Sequence, residues 1–413
     1  MQVGHDLRAR ADAILQKATS NGNDVPGVIA LVTDREGDIY QGIAGKRMLR
    51  GSQDMTLDTV FGAFSTTKAI TGTAVLQLVE DGKLDLDAPA KIYLPDIGKL
   101  QVLEGFGGDG RPHLRAPKRD VTTRMLMLHT AGFGYEFFSD PYRRLMRECE
   151  VPSITTSTYA SLRQPMLFEP GSAWEYGISM DWAGQIVESI AGKRLGEVFQ
   201  SRIFEPLGME DTAFTMTPSM RSRLTAVHMR DDTGTLNPVP DFVLPQNPEV
   251  HMGGHGLYST ATDYTKFLRM WLNDGRGTQG SVLKPETVRI AESNHLGGMK
   301  IRKMYSVDPV ITNDLEFFPG STKSWGLSFM INDEAAPTGR PAGSLAWVGL
   351  ANIYHWIDRR NDIAGFWATQ ILPLADQPTL QGYSEFETVV YQSLQRPVRP
   401  VRCSADTDYH CGP

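Results

Sequence analysis

Apolar residues recur with two different periods along the first 45 residues. Helical spacing places four apolar side chains on one face of the N-terminal segment: Leu7, Ala11, Ile14 and Leu15. Farther on, apolar residues alternate with other residues in 27–45, and turn-forming residues occupy 34–37. This pattern predicts a surface helix followed by a β-hairpin, the start of an antiparallel sheet with helices packed on it.

The middle of the chain has mainly helical spacing, interrupted by segments rich in Pro and Gly. Three longer helices are predicted, at 66–82, 181–203 and 261–274, and two short ones, at 121–129 and 142–149. Gly82 is well placed to end the first, and Thr260 or Thr262 could cap the third. Residues 87–180 are otherwise loop-rich, and residues 276–322 are irregular.

Residues near the C-terminal end return to a strand pattern. Strands are predicted at 325–331, 345–357 and 363–371, with a turn at 358–362 and a closing helix at 383–395. Strands from both ends of the chain predict an α+β fold, with one antiparallel sheet flanked by helices. The predicted domains are an α/β sandwich (1–62 with 325–398), a mainly helical insertion (63–324) and a tail (399–413).

Composition places the chain among ordinary globular proteins. Of its 413 residues, 41% are hydrophobic and 22% charged, and the net charge of −7 comes without a basic run, which argues against nucleic acid as a partner. Neither a signal-peptide core nor an apolar stretch of membrane-spanning length occurs, so we expect a cytoplasmic protein without membrane association. The three cysteines, Cys149, Cys403 and Cys411, suggest neither a disulfide framework nor a zinc ribbon.

The first candidate chemistry lies at the start of the helix predicted at 66–82. Ser65 and Lys68 are three residues apart, which places them on one helical face, one turn from each other. A lysine whose pKa is lowered by burial can take the proton of a serine and make it nucleophilic. The alternative is that Ser65 only caps the helix and that Lys68 is solvated, because this short motif often occurs by chance.

Two further segments carry candidate site residues. Tyr176 follows a Pro-Gly turn and precedes a helix, where a phenol could shuttle a proton, although it could equally be a packed tyrosine. Gly349 lies inside a predicted strand after Trp347, and such a glycine often marks close approach of a ligand, or else tight packing. Aromatic residues in the glycine-broken loop at 133–138, including Phe133 and Tyr135, could line a pocket or belong to the core.

Taken together, these segments resemble the superfamily of penicillin-binding proteins and class C β-lactamases. The order of Ser-x-x-Lys, a tyrosine about 110 residues later and a W-x-G strand near the C-terminus is similar to that family. Further similar segments occur at Leu126–Phe133, Pro206–Met209 and Gly253–Thr260. The resemblance covers about residues 20–395 and implies a β-lactamase/transpeptidase-like fold.

Two subfamilies are similar in more detail. The W-x-G of 347–349 in place of K-T-G, with 350–352 and 356–358, resembles the family VIII carboxylesterases. Residues 102–106, 174–177 and 181–184 resemble the fungal acyltransferase that loads a side chain onto statin precursors. Both resemblances imply the same trio: Ser65 as nucleophile, Lys68 as its base partner and Tyr176 as the group that passes the proton to the leaving alcohol.

The resemblance also implies how substrate is held, and where this chain departs from the lactamases. Trp347 and Gly349 would line the acyl pocket, and the N–H groups of Ser65 and Leu350 would form the oxyanion hole. Ile178 stands where lactamases have Asn, and the third motif lacks its Lys, so two groups that hold a β-lactam are missing. We therefore expect a carboxylesterase for short- to medium-chain esters, with transfer to an alcohol or weak β-lactamase activity as alternatives.

Other classes of function have less support. No G-x-S-x-G elbow, Walker loop or strand-linked G-x-G-x-x-G occurs, which disfavours α/β-hydrolase, phosphoryl-transfer and nicotinamide chemistry. His228, His251 and His255 lack metal-ligand spacing, so neither a metal nor another cofactor is expected. A non-catalytic binding protein on the same fold is the least favoured alternative. The sequence leaves the natural ester and the oligomeric state open.

Overall fold

The computed structural model describes residues 6–20 and 25–394. Twelve α-helices lie in these ranges: α1 (Asp6–Thr19), α2 (Thr67–Glu80), α3 (Thr123–Met127), α4 (Asp140–Cys149), α5 (Tyr159–Leu162), α6 (Ser179–Ala191), α7 (Leu195–Phe199), α8 (Glu205–Leu207), α9 (Pro218–Ser222), α10 (Ala261–Leu272), α11 (Pro285–Ala291) and α12 (Gln377–Leu394). Most of them fall between residues 67 and 291, as the helical spacing of this region predicts.

Fourteen strands lie in the same ranges: β1 (Gly27–Thr33), β2 (Asp38–Gly45), β3 (Val60–Gly62), β4 (Val102–Phe106), β5 (Pro112–Arg115), β6 (Val227–Arg230), β7 (Leu236–Val239), β8 (Tyr258–Thr260), β9 (Lys323–Trp325), β10 (Met330–Asn332), β11 (Leu345–Gly349), β12 (Ile353–Asp358), β13 (Ile363–Ala368) and β14 (Ile371–Leu372). Seven of them form the main sheet, in the order β2-β1-β13-β12-β11-β10-β9. All neighbouring pairs in this sheet are antiparallel. The sheet is therefore assembled from the two ends of the chain.

Helices cover both faces of the main sheet. Successive side chains of a strand point to opposite faces. In β12, His355 contacts Tyr264 of α10 with ring centroids 5.3 Å apart, whereas the next residue, Trp356, contacts Phe386 of α12 at 6.2 Å. Helix α1 packs beside α12. Every residue of β1 is buried, because the strand lies inside this three-layer arrangement.

The C-terminal strands are shorter and more numerous than predicted. The segments predicted as single strands at 325–331 and 345–357 each contain a tight turn, so they form the pairs β9–β10 and β11–β12. Asn352 allows the second turn, because it adopts a left-handed conformation (φ 59°) that asparagine tolerates better than most residues. The strand predicted at 363–371 ends at Ala368, and β14 pairs instead with β6 in another sheet.

Two helix boundaries also differ from the prediction. The helix predicted at 181–203 begins at Ser179 and stops at Ala191, because Gly192 takes a left-handed conformation (φ 64°) that terminates it. The closing helix starts at Gln377, six residues before the predicted start at 383. The Thr260 cap of α10 is confirmed, since its side chain accepts a hydrogen bond from the N–H of Asp263.

Other predictions concern the C-terminal tail, the cysteines, membrane-spanning helices, metal sites and the division into domains. The predicted tail at 399–413, with Cys403 and Cys411, lies outside the described residues, whereas Cys149 is exposed and free. Within the described ranges, no helix is long and apolar enough to cross a membrane. The same ranges contain no group of three His, Cys, Asp or Glu side chains able to hold a metal ion. The division into domains stays a prediction.

Candidate active site

Ser65 lies in a single 3-10 turn, Phe64–Thr66, that leads directly into α2. The residue before it, Phe64, has a positive φ of 46°, an unusual conformation for a bulky side chain and one often found at functional sites. Surrounding contacts hold this backbone, because the N–H of Ala63 donates to the carbonyl of Leu257 at 2.8 Å. Ser65 itself is 9% exposed, and the cap of α2 is Thr66, so Ser65 is not a helix cap.

Lys68 is buried and uses all three of its hydrogen-bond donors. Its Nζ donates to Ser65 Oγ at 3.1 Å, to Tyr135 Oη at 2.8 Å and to the Gly254 carbonyl at 2.8 Å. Only 2% of the residue is exposed. The alternative of a solvated Lys68 is therefore wrong: the ammonium nitrogen is enclosed and directed at the candidate nucleophile.

Burial changes the proton affinity of Lys68. Removing the ammonium from water disfavours its charged form and lowers the pKa of Lys68 from 10.5 to about 7. The carboxylate of Asp181 acts in the opposite direction and raises this pKa. Near neutral pH a substantial fraction of Lys68 is therefore the free amine, the form that can accept a proton from Ser65.

Tyr176 also lies next to Lys68, in the segment that precedes α6. Its hydroxyl accepts a hydrogen bond from Trp347 Nε1 at 3.0 Å, and its ring centroid is 4.7 Å from Lys68 Nζ. Burial raises the pKa of Tyr176 well above its ordinary value, although hydrogen bonds to Ser65 and Trp347 act against this shift. The phenol is therefore neutral at physiological pH and can donate or relay a proton.

Tyr135 is a direct partner of Lys68, whereas the sequence indicated only a pocket-lining residue. Its ring lies edge-on to that of Tyr176, with centroids 5.3 Å apart. Next to Tyr176, Gly177 lets the backbone approach that of Phe133 closely, because a Cβ atom there would lie 2.4 Å from the Phe133 carbonyl oxygen. No rule of sequence spacing could have predicted that Tyr135 contacts Lys68. The available signal was the group of aromatic residues in the glycine-broken loop, which indicated a pocket.

The end of β11 lies against the turn that carries Ser65. A Cβ atom on Gly349 would be 2.8 Å from the carbonyl oxygen of Ala63, so only glycine permits this approach. Close packing of the backbone thus explains Gly349. Trp347 is buried between Tyr176 and Phe317, with ring centroids at 4.8 and 5.7 Å. Leu350 follows the strand and is half-buried, and the oxyanion role of its N–H stays a prediction.

Phe133 and His129 form the inner wall behind the site. Phe133 is completely buried and its ring stacks on Trp182, with centroids 6.4 Å apart. His129, which the sequence did not single out, is also completely buried and lies 5.0 Å from the Tyr176 ring centroid. Burial lowers the pKa of His129 well below 6.5, and the nearby Lys68 adds to this effect, so its imidazole is neutral.

These groups together can support acyl transfer through a covalent intermediate. A buried amine next to a serine hydroxyl can act as its base, and a neutral phenol nearby can return the proton to a leaving group. The fold and this arrangement define the class as serine hydrolases and acyltransferases with a β-lactamase/transpeptidase-like fold. The profile of the beta-lactamase family matches residues 15–388, and the chain belongs to that family.

The named proteins that are similar to this chain include both hydrolases and transferases. A lovastatin esterase of Penicillium rubens is 32% identical, over 88% of this chain and 93% of its own. A monacolin J acid methylbutanoyltransferase of Aspergillus terreus is 28% identical, over 95% of this chain and 98% of its own. Among solved structures, unliganded simvastatin synthase (LovD) from Aspergillus terreus superposes with a TM-score of 0.81 at 26% identity, covering 95% of this chain and all of the other.

Proposed function

We propose that this protein is a carboxylesterase that hydrolyses short- to medium-chain esters of small molecules through an acyl-enzyme on Ser65. The observation that carries the proposal is the enclosed Lys68 amine, 3.1 Å from Ser65 Oγ and with a pKa of about 7. A serine needs such a base to become a nucleophile. The steps below use only side chains of this chain and water.

Acylation begins when the neutral Lys68 amine takes the Ser65 hydroxyl proton. Ser65 Oγ then attacks the ester carbonyl, and the carbonyl oxygen becomes a tetrahedral oxyanion. The N–H groups of Ser65 and Leu350 would stabilise this oxyanion. Between Lys68 and Tyr176, Lys68 is the base in this proposal, because burial keeps the phenol protonated while it favours the free amine.

Collapse of the tetrahedral intermediate breaks the ester C–O bond and leaves the acyl group on Ser65. The departing alkoxide takes the proton of the Tyr176 hydroxyl, which is replaced by the proton held on Lys68. Deacylation reverses these steps with water as the nucleophile, and it releases the acid and restores Ser65. Trp347 Nε1 holds the phenol in place throughout, because its hydrogen bond fixes the position of Tyr176 Oη.

A second candidate function is transfer of the acyl group to an alcohol instead of water. The named relatives favour acyl transfer, since a methylbutanoyltransferase aligns over 95% of this chain and an esterase over 88%. The two reactions share the acyl-enzyme and differ only in the acceptor. The methylbutanoyl group named for that relative favours a short, branched acyl chain. Family VIII membership, a cytoplasmic location and weak β-lactamase activity stay predictions.

The test compares wild type, Ser65→Ala and Ser161→Ala on p-nitrophenyl butyrate. Ser161 is a matched control, because it is also buried but its hydroxyl donates within its own turn, to the Thr158 carbonyl. We expect Ser65→Ala to lose ester cleavage and Ser161→Ala to retain it. Intact-protein mass spectrometry after rapid acid quenching should show one butyryl group on wild type and none on Ser65→Ala.

Product analysis separates the two candidate reactions. With glycerol as acceptor, transfer gives butyryl glycerol in proportion to acceptor concentration, whereas hydrolysis gives butyric acid alone. Hydrolysis alone at every acceptor concentration would refute the second candidate. Undiminished turnover by Ser65→Ala would refute the acyl-enzyme itself.

A further inference from the structure

A buried carboxylate lies behind Lys68, and the steps above make no use of it. Asp181 is in the first turn of α6 and is completely buried. Within the described residues Asp181 forms no ion pair with a lysine or an arginine. A histidine lies near it instead, with His255 Nδ1 at 3.5 Å from Asp181 Oδ1. A buried carboxylate is costly without a compensating charge, so its position calls for an explanation.

One residue connects Asp181 with Lys68. The N–H of Gly254 donates to Asp181 Oδ1 at 2.7 Å, and the carbonyl of the same residue accepts from Lys68 Nζ at 2.8 Å. Only glycine fits here, because a Cβ atom on Gly254 would lie 2.4 Å from Asp181 Oδ2. The carboxylate and the lysine are therefore held on opposite sides of a single residue.

The backbone around Gly254 is itself fastened to α2. Thr71 Oγ1 donates to the Gly253 carbonyl at 2.6 Å, and the N–H of Leu257 donates to Thr67 Oγ1 at 3.2 Å. The segment from Gly253 to Leu257 thus spans the space between the helix that carries Lys68 and the helix that carries Asp181. A change at Asp181 would reach Lys68 through this segment.

The other groups that face Lys68 do not carry a compensating charge. Ser65, Tyr135 and Tyr176 present neutral hydroxyl groups to Lys68. Burial raises the pKa of both tyrosines, so neither phenol carries a negative charge near neutral pH. His129 is a neutral imidazole, because burial lowers its pKa. Asp181 is the group whose charge raises the pKa of Lys68.

We propose that Asp181 is a positioning residue of this site, which fixes the Gly254 carbonyl on Lys68 and stabilises the ammonium that Lys68 becomes on taking the Ser65 proton. The inference rests on the proposed acyl-enzyme chemistry and goes beyond the Ser65, Lys68 and Tyr176 trio. It explains why a carboxylate is buried at a place where no lysine or arginine of the described ranges pairs with it. Without its charge, the ammonium would be less stable and the amine a weaker base.

The test is the pH profile of Ser65 acylation in Asp181→Asn. An asparagine Oδ1 can still accept the Gly254 N–H, so this variant removes the charge and keeps the hydrogen bond. Asp263→Asn is the matched control, because Asp263 is also buried and also accepts a backbone N–H, that of Asp211 at 2.7 Å. Acylation is measured as kcat/KM for p-nitrophenyl butyrate between pH 5 and 9, with release of p-nitrophenol followed at its isosbestic wavelength.

The expected result is a change in the shape of the profile. In Asp181→Asn the acidic limb should move to lower pH by about one unit, the lower end of what a nearby opposite charge does to a pKa. The plateau above the limb should also fall, because a weaker base removes the Ser65 proton more slowly. The pH profile of Asp263→Asn should keep the midpoint of the wild-type profile, even if this variant is less stable than wild type.

Two outcomes would overturn the inference. A folded Asp181→Asn with the wild-type midpoint and a uniformly lower rate would show that Asp181 is only structural, and a wild-type profile would show that it is dispensable. Should Asp181→Asn lack the wild-type circular dichroism spectrum, Asp181→Ser gives the same comparison, with a hydroxyl for the Gly254 N–H. Failure of the proposed function is distinct, since wild type would then release p-nitrophenol no faster than Ser65→Ala.

Discussion

Replacing Lys68 by methionine should change how the stability of the protein depends on pH. In the unfolded chain Lys68 keeps its proton up to a pH of about 10.5, whereas in the folded protein it releases the proton at about 7. Between these values the unfolded chain therefore binds more protons than the folded one. Stability then rises with pH across this window, because proton release favours the folded state.

The size of the effect follows from the shift in pKa. A difference of one unit corresponds to about 1.4 kcal/mol, so the whole shift of Lys68 amounts to about 5 kcal/mol. Because the residue is only 2% exposed, solvent does little to screen this effect. Between pH 7 and 9, integration over the two titrations gives an increase of about 2 kcal/mol in the free energy of unfolding. Below pH 7 the contribution changes little.

Methionine has a similar length but does not titrate, so Lys68→Met should lack this rise. Urea unfolding followed by tryptophan fluorescence at pH 6, 7, 8 and 9 gives the free energy of unfolding for both proteins. The difference between wild type and variant should grow in favour of wild type by about 2 kcal/mol from pH 7 to 9. Other titrating groups are common to both proteins and cancel in the difference.

The control is Lys83→Met, since the Lys83 side chain is 60% exposed and pairs only at the surface, with Asp81 Oδ2 at 3.7 Å. Its difference from wild type should not vary over this range of pH. Parallel curves for wild type and Lys68→Met would refute the reasoning, because they would mean that folding does not change the proton affinity of Lys68. In that case Lys68 would remain an ammonium at neutral pH and could not serve as the base.

Two further variants test the surroundings of the site. Tyr135→Phe removes the acceptor of a Lys68 hydrogen bond, so kcat/KM for p-nitrophenyl butyrate should fall about 5- to 150-fold, the equivalent of about 1–3 kcal/mol for an unpaired buried donor; an unchanged kcat/KM would show that Tyr135 only packs there. Glu387→Gln leaves Arg340 buried without its partner at 3.0 Å, so urea unfolding should show a loss of about 3–5 kcal/mol. Because Glu387 belongs to α12, on the face of the sheet away from α10, the rate per folded enzyme should stay the same; a large loss of rate at full stability would contradict this view.

Periodicity predicted the kinds of element well and some of their limits poorly. It indicated α10 with its Thr260 cap, because spacing and capping are both local properties of the sequence. It joined β11 to β12, because apolar and aromatic residues typical of strands continue on both sides of Asn352. The turn depends on Asn352, whose side-chain amide donates to the carbonyls of Ile371 and Pro373. Those partners belong to a distant segment that local spacing does not reveal.

The same distinction applies to the candidate site. The motif placed Ser65 beside Lys68 because one helical turn separates them, and the structure brings the two together. The other acceptors of Lys68, Tyr135 and Gly254, lie 67 and 186 residues away in sequence, so only the folded chain joins them. The sequence analysis placed Asp181 at a helix start and in a segment similar to the statin acyltransferase. Its distance from Lys68 in sequence gives no hint that its carboxylate influences that amine.

Burial has opposite consequences for the two groups that would exchange protons. An ammonium loses its charge on giving up a proton, whereas a phenol gains one, so the same dry environment lowers the pKa of Lys68 and raises that of Tyr176. One becomes a base near neutral pH and the other stays a donor, without any carboxylate in contact with either. A negative charge placed directly against Lys68 would undo this division by holding it as an ammonium. Asp181 lies on the far side of Gly254 instead, and the effect of burial on the pKa of Lys68 outweighs the effect of its charge.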